Sequence, residues 1–205
     1  MIRAVLGMLY TPVYHIIPAC QALRGAVEFL LCLERPHDMK DVELVRLDPA
    51  IEESLANDPA YMEAMVEDNW ARVADLVHQL IGRTLTATPV SVDTLEWDGY
   101  FVVDTDTREV VGSCAFKGEP AEDGTVEIAY FTYPEFEGKG YATSMARKLI
   151  ELASNCTTVK RVIAHTLPEA NASTRVLEKV AMSFVGEVID PDDGRVWQWQ
   201  TQIRA

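Results

Sequence analysis

Apolar and polar positions change period several times along the chain, and each change marks an element. Val42 to Leu47 predicts a first strand, after which two helices open on Asp-Pro pairs, at Asp48-Pro49 and Asp58-Pro59. Aspartate can cap the free N–H groups there, and proline at the first helical position forfeits no needed donor. In the second helix Met62, Met65, Val66, Val73, Leu76, Val77 and Leu80 recur at helical spacing and predict one long helix with a core stripe. Three strands are predicted next: Tyr100 to Asp104, Val110 to Lys117 and Thr125 to Thr132. The turn signals Pro120 and Asp123-Gly124 separate the last two. Ala142, Met145, Ala146, Leu149, Ile150 and Ala153 then share one helical face. A strand at Arg161 to Thr166, a helix at Asn171 to Val180, and strands at Phe184 to Ile189 and Arg195 to Gln202 complete the chain. This succession predicts a mixed α/β sheet flanked by helices.

The junction between the third of those strands and its helix carries the most chemistry. Tyr133-Pro134-Glu135-Phe136-Glu137-Gly138-Lys139-Gly140-Tyr141 is a short turn with two glycines one residue apart. Such a turn leaves unpaired backbone N–H groups at the positive end of a helix dipole, a pocket for phosphate or pyrophosphate. The glycines allow close approach and positive φ. Neither a Walker loop nor the dinucleotide fingerprint fits, because no Gly-Lys-Ser/Thr follows and position 143 is Thr. Taken alone, the same pattern is also an ordinary strand-to-helix turn.

Composition narrows the classes. The 205 residues, 48% hydrophobic, suffice for one compact domain. A net charge of −14 argues against nucleic acid as a partner, since phosphate binding needs a basic footprint, and it suits a cationic acceptor. The same charge also fits a soluble acidic protein whose surface only prevents aggregation. Cys20, Cys32, Cys114 and Cys156 form no Cys-x-x-Cys pair, and the four histidines show no ligand spacing, so no metal site is expected. Cys114 lies in a strand-like run and reads as a small core residue.

Residues from about Val42 to Gln202 resemble the GCN5-related N-acetyltransferase (GNAT) superfamily, whose members transfer an acetyl group from acetyl-CoA to an amine. Its signature is Gln or Arg, two residues, Gly, one residue, then Gly or Ala. Glu137-Gly138-Lys139-Gly140-Tyr141-Ala142 occupies that frame with Glu in first place. Downstream, Pro168 to Lys179 and the strand Phe184-Val185-Gly186-Glu187 resemble the branch that acetylates ribosomal proteins (RimJ/RimL-like). Asn171 lies two residues before Ser173 where many relatives have three, Leu177 replaces a frequent tyrosine, and Ala181-Met182 replaces Gly-Phe.

The resemblance implies a mostly antiparallel sheet whose two central strands splay to admit the pantetheine arm. It places the acetyl carbonyl against backbone N–H groups near Phe131 and Thr132, where the family strand bulges. The pyrophosphate then falls on Glu137, Gly138, Lys139, Gly140, Tyr141, Ala142 and Thr143, and Asn171 and Ser173 lie along the pantetheine and thiol. Glu127 is the candidate base: if buried, its pKa would rise into a useful range. The alternative is a solvated carboxylate paired with a basic neighbour. Ser173 is the candidate for contacting the leaving sulfur; its alternative is capping the helix after Asn171.

The implied activity is acetyl-CoA-dependent acetylation of an amine, either a small molecule or a protein N-terminus, in the cytoplasm. A CoA-binding module without catalysis is the other reading these departures allow. Met1-Ile2-Arg3 and the apolar residues after it superficially resemble a signal peptide, but Pro12, His15 and Pro18 interrupt the run, which is too short and broken to span a membrane. Either Met39 is the genuine start or residues 1–38 are a dispensable extension, and 39–205 is expected to be the acetyltransferase domain.

Overall fold

The structure, a computed structural model, describes residues 40–46, 53, 55, 57–67, 69–84, 97 and 99–203. Of the helix expected from Asp48-Pro49 only Glu53 and Leu55 are described, and both are helical; its start and the whole of residues 1–38 lie outside the described residues. Seven strands form one sheet: β1 (Val42–Arg46), β2 (Gly99–Asp104), β3 (Val110–Phe116), β4 (Thr125–Thr132), β5 (Arg161–Thr166), β6 (Ser183–Asp190) and β7 (Gly194–Gln202). Their order is β1-β2-β3-β4-β5-β7-β6. Only β4 and β5 run parallel, so the mixed, mostly antiparallel sheet is as expected.

Among the described residues these helices pack against it: α1 (Pro59–Val66), α2 (Trp70–Thr84), α3 (Tyr141–Ser154) and α4 (Ala172–Lys179). The single long helix predicted after Asp58 is instead two. Asn69 breaks it: its Oδ1 accepts from the Arg72 N–H and its carbonyl from the Val73 N–H, which starts α2 afresh. The break rotates the apolar stripe. Met62 and Val66 are exposed, while Tyr61 and Ala64 of α1 join Val73 and Val77 of α2 in the core.

Alternation along the strands gives the sheet two apolar faces. On one, Tyr100, Val102, Cys114, Val126, Ile128 and Val162 meet Met145, Leu149 and Leu177 of α3 and α4. On the other, Val45, Phe101, Val103, Val110 and Phe131 meet α1 and α2. Packing leaves no room for a side chain at Gly112, where a Cβ would stand 2.2 Å from the Phe131 carbonyl oxygen and 2.8 Å from Met145 Cε. The bulge expected on β4 is on β3 instead. Register between β3 and β4 is unbroken from Ile128 to Thr132, whereas Val102 pairs with Gly112 and Val103 with Val110, leaving Val111 as the extra residue. Glycine at 112 and the extra residue beside it accommodate the crowding, so β4 stays regular.

Candidate active site

Parallel pairing of β4 with β5 ends after three residue pairs, the last being Glu127 with Ile163. Beyond it β4 continues to Thr132 and β5 to Thr166 without joining, which is the fork the resemblance implies. Three elements converge on the fork. The end of β4 carries Phe131 and Thr132, and the Thr132 hydroxyl is buried without a hydrogen-bond partner. The Pro134–Phe136 turn then hands the chain to α3 through Gly138 at φ 72° and Gly140 at φ 92°. From the far side of the fork comes the first turn of α4 with Asn171 and Ser173, tied to β4 by the Tyr130 hydroxyl, which donates to the Ser173 carbonyl at 3.4 Å.

The helix starts differ in a way that bears on chemistry. Asp58 caps α1, Asn69 caps α2, and Asn171 with Thr174 closes a reciprocal capping box on α4. The start of α3 has no side-chain cap and no acidic residue in its first turn. Its free N–H groups at Tyr141, Ala142 and Thr143 therefore remain available to an anion. Glu137 is exposed, and its N–H closes the preceding turn on the Pro134 carbonyl. Lys139 folds back, its ammonium donating to the Glu135 carbonyl at 2.7 Å and lying 5.1 Å from the centre of the Phe136 ring. The start of α3 is anchored from below by the buried Asp104, which accepts 2.7 Å from the Tyr141 hydroxyl while its other oxygen closes the turn at Asp106 and Thr107.

Of the capping alternatives, it is Thr174 that completes the cap with Asn171. Ser173 is half-buried and its hydroxyl bonds to no other described residue. Leu177 is fully buried in the core. Ala181, where the resemblance implies glycine, takes the left-handed φ of 60° that suits glycine, and Met182, where it implies phenylalanine, is buried. The two substitutions leave the local fold intact at a backbone cost of about 1 kcal/mol.

Glu127 is on the opposite side of the sheet from Ser173, facing the same way as Phe131. Its Oε1 receives the Lys117 ammonium at 2.6 Å and His165 Nδ1 at 3.1 Å. Burial alone would raise its pKa, as expected of a lone carboxylate, but hydrogen bonds and charge from His165 and Lys117 take it below the ordinary value. The rise anticipated from burial is thus reversed. His165 moves the other way: the Glu127 hydrogen bond raises its pKa, and burial and Lys117 only partly oppose this.

Lys117, His165, Asp190 and Gln198 were invisible as a group in the sequence. Asp190 Oδ2 lies 3.8 Å from His165 Nδ1, and Gln198 Oε1 lies 3.4 Å from Nε2. The backbone N–H groups of Asp193 and Asp192 hold Asp190 below the ordinary carboxylate range. Period-two spacing in Arg161 to Thr166 puts His165 on the Glu127 side, which was the one available signal; only neighbouring register completes it. Glu127, His165 and Asp190 each offer a metal-type donor within 4.8 Å of the others. The Lys117 ammonium already supplies the positive charge at the shared Glu127 oxygen. A separate open groove of about 600 Å³, lined by Arg72, Asp75, Glu109 and Glu135, contains none of the expected site residues.

The forked mixed sheet with an uncapped helix start beside it is the arrangement that the resemblance to acetyltransferases implies. Residues 35–183 match the model of the acetyltransferase (GNAT) domain family, and the chain belongs to that family. It is similar to the uncharacterized N-acetyltransferase YjdG of Bacillus subtilis, with 36% identity over 87 residues, 42% of this chain and 52% of that protein. The uncharacterized N-acetyltransferase p20 of Bacillus licheniformis is 29% identical over 91 residues, 44% of this chain and 51% of that protein. The chain thus spans about half the length of these curated relatives in its matches. Among solved structures, an aminoglycoside acetyltransferase AAC(6')-Ib in complex with coenzyme A and kanamycin superposes with a TM-score of 0.50 at 17% identity, covering 79% of this chain and 95% of that one. A spermidine N-acetyltransferase chimera from Vibrio cholerae gives 0.50 at 15% identity over 78% and 95%. At these identities the structures show the shared fold. No helix among the described residues is long and apolar enough to cross a membrane.

Proposed function

We propose that the protein transfers an acetyl group from acetyl-CoA to an amine, as a RimJ/RimL-like member of its family. The observation that carries this is the uncapped α3 start, presented by Gly138 and Gly140 at the mouth of the β4–β5 fork. Tyr141, Ala142 and Thr143 N–H groups would bind the pyrophosphate, with Glu137 and Lys139 at the rim. The fork would take the pantetheine between β4 and α4, past Asn171 and Ser173. Thr132, whose buried hydroxyl lacks a partner, and the adjacent Phe131 backbone fit the thioester end. The branch assignment is supported by the Pro168 to Lys179 segment.

Chemistry needs three things: a deprotonated amine, a stabilised oxyanion and a protonated leaving thiolate. Ser173 stands on the donor side for the sulfur, and Glu127 stands on the opposite side, where an acceptor would approach. Aminoglycoside and spermidine acetyltransferases share this fold, and the −14 net charge suits a cationic acceptor of that chemical type. The domain proper is taken as 39–205, with residues 1–38 an extension to it.

Thermal unfolding of the full chain with rising acetyl-CoA tests the donor site. A midpoint that climbs with concentration is expected, by about 2.7 kcal/mol of added stability at a hundredfold excess over Kd. No shift at millimolar acetyl-CoA would refute the proposal.

A further inference from the structure

We infer that His165 accepts the proton of the incoming amine, with Glu127 as the anion that orients the ring. This rests on the acetyl-transfer reading above and assigns a role to a side chain that the motifs leave out.

Glu127 is poorly placed to take the proton itself. Its Oε1 is already shared by Lys117 at 2.6 Å and His165 at 3.1 Å, and an oxygen so occupied is a weak base. An ionised carboxylate only accepts hydrogen bonds, so the nitrogen facing it, Nδ1, carries hydrogen. That fixes the tautomer and leaves Nε2 as the basic position. The Gln198 side-chain oxygen lies 3.4 Å from Nε2, a long contact that the incoming ammonium must displace to reach the Nε2 lone pair. Asp190 Oδ2, 3.8 Å from Nδ1, adds a second negative charge.

The charged groups facing the ring are Lys117 after β3, Glu127 on β4 and Asp190 at the end of β6, while β7 contributes the uncharged Gln198. Two carboxylates stabilise an imidazolium, and the Lys117 ammonium keeps it from being permanent. The raised His165 pKa agrees with that balance. The side chain is 12% exposed, so it is shielded from solvent without being sealed off.

The step balances. The acceptor ammonium gives one proton to Nε2, leaving a neutral amine and an imidazolium. The amine lone pair then forms the C–N bond, the C–S bond breaks, and the sulfur leaves as a thiol with the second nitrogen-bound proton.

The test uses the full chain and two acceptor probes, 1,6-diaminohexane, an ammonium near neutrality, and hydroxylamine, which is already neutral there. Thiol release from acetyl-CoA is followed against pH, and acetyl-CoA affinity is measured separately by calorimetry. His165→Gln should lower kcat/KM for the diamine by about 100-fold or more and for hydroxylamine by less than about tenfold. Acetyl-CoA affinity should be retained. Glu127→Gln should move the rising limb of the diamine pH profile to lower pH. Undiminished diamine turnover in His165→Gln, or equal losses with both probes, would overturn the assignment. Donor binding by the wild type without turnover of either probe would also overturn it, leaving the cofactor site standing. Absence of acetyl-CoA binding by the wild type would instead remove the underlying function.

Discussion

The two arms of the sheet are built to different standards. Every residue of β2 is buried, and β3 is buried except at Ser113, because α1 and α2 cover one side and α3 the other. In β6 no residue is buried, and Phe184, Val185 and Ile189 are exposed. The fork lies where one arm meets the other, and the polar cluster sits beside it. There Lys117, Glu127, His165 and Asp190 keep between 12% and 19% of their side chains exposed. Such half-burial strengthens charge interactions relative to water while leaving access for a substrate.

The largest expected contrast is steric. Gly112→Ala places a methyl group 2.2 Å from the Phe131 carbonyl, between two packed faces that cannot yield cheaply. It should cost roughly 3 kcal/mol in urea unfolding. Gly186→Ala on β6 also forces an unfavourable φ, of 150°, but meets nothing within 4 Å, so about 1 kcal/mol is expected. Equal costs would break the comparison, showing that the arms share one packing standard.

A smaller contrast is electrostatic. Removing the Lys117 charge with Lys117→Met leaves Glu127 half-buried beside His165 and should cost roughly 1–3 kcal/mol. The matching pair on the outer arm, Arg195 with Glu187 at 2.7 Å, has side chains 70% and 38% exposed. Its coupling energy in a double-mutant cycle should be about 0–1 kcal/mol. Coupling at Lys117–Glu127 no larger than this would show that the cluster is effectively solvated.

Much of this was legible in the chain because it is local. β4 and β5 begin and end where alternation predicts, and Gly138 and Gly140 take the positive φ that their spacing implied. What escaped depends on register between distant segments. Glu127 was singled out, yet His165, 38 positions away, is its partner only because β4 and β5 pair in parallel with Glu127 opposite Ile163. The extra residue at Val111 lies beside the crowded Gly112, and its place depends on the pairing of β3 with β2, which no single strand records. Asn69 is a local signal inside an apolar stripe that predicts one helix, and its capping geometry restarts the helix there.

The smallest expected effect concerns the cluster's own pH dependence, and it separates stability from activity. Glu127 has a folded pKa below its ordinary 4.5, so its contribution is present above pH 4.5 and is lost as pH falls through the depressed value. His165 has a folded pKa above its ordinary 6.5, so its contribution is complete below pH 6.5 and fades as pH rises through the raised value. The pair should therefore stabilise the fold most between pH 4.5 and 6.5. Proton acceptance requires the neutral ring, so activity should climb over the very span in which this stabilisation declines. The difference in urea midpoint between wild type and His165→Gln, followed from pH 4 to 9, should be greatest within that window and shrink above it. A difference independent of pH would mean that the ring contributes packing alone, and the contrast between the dry inner arm and its ionised border would lose its physical basis.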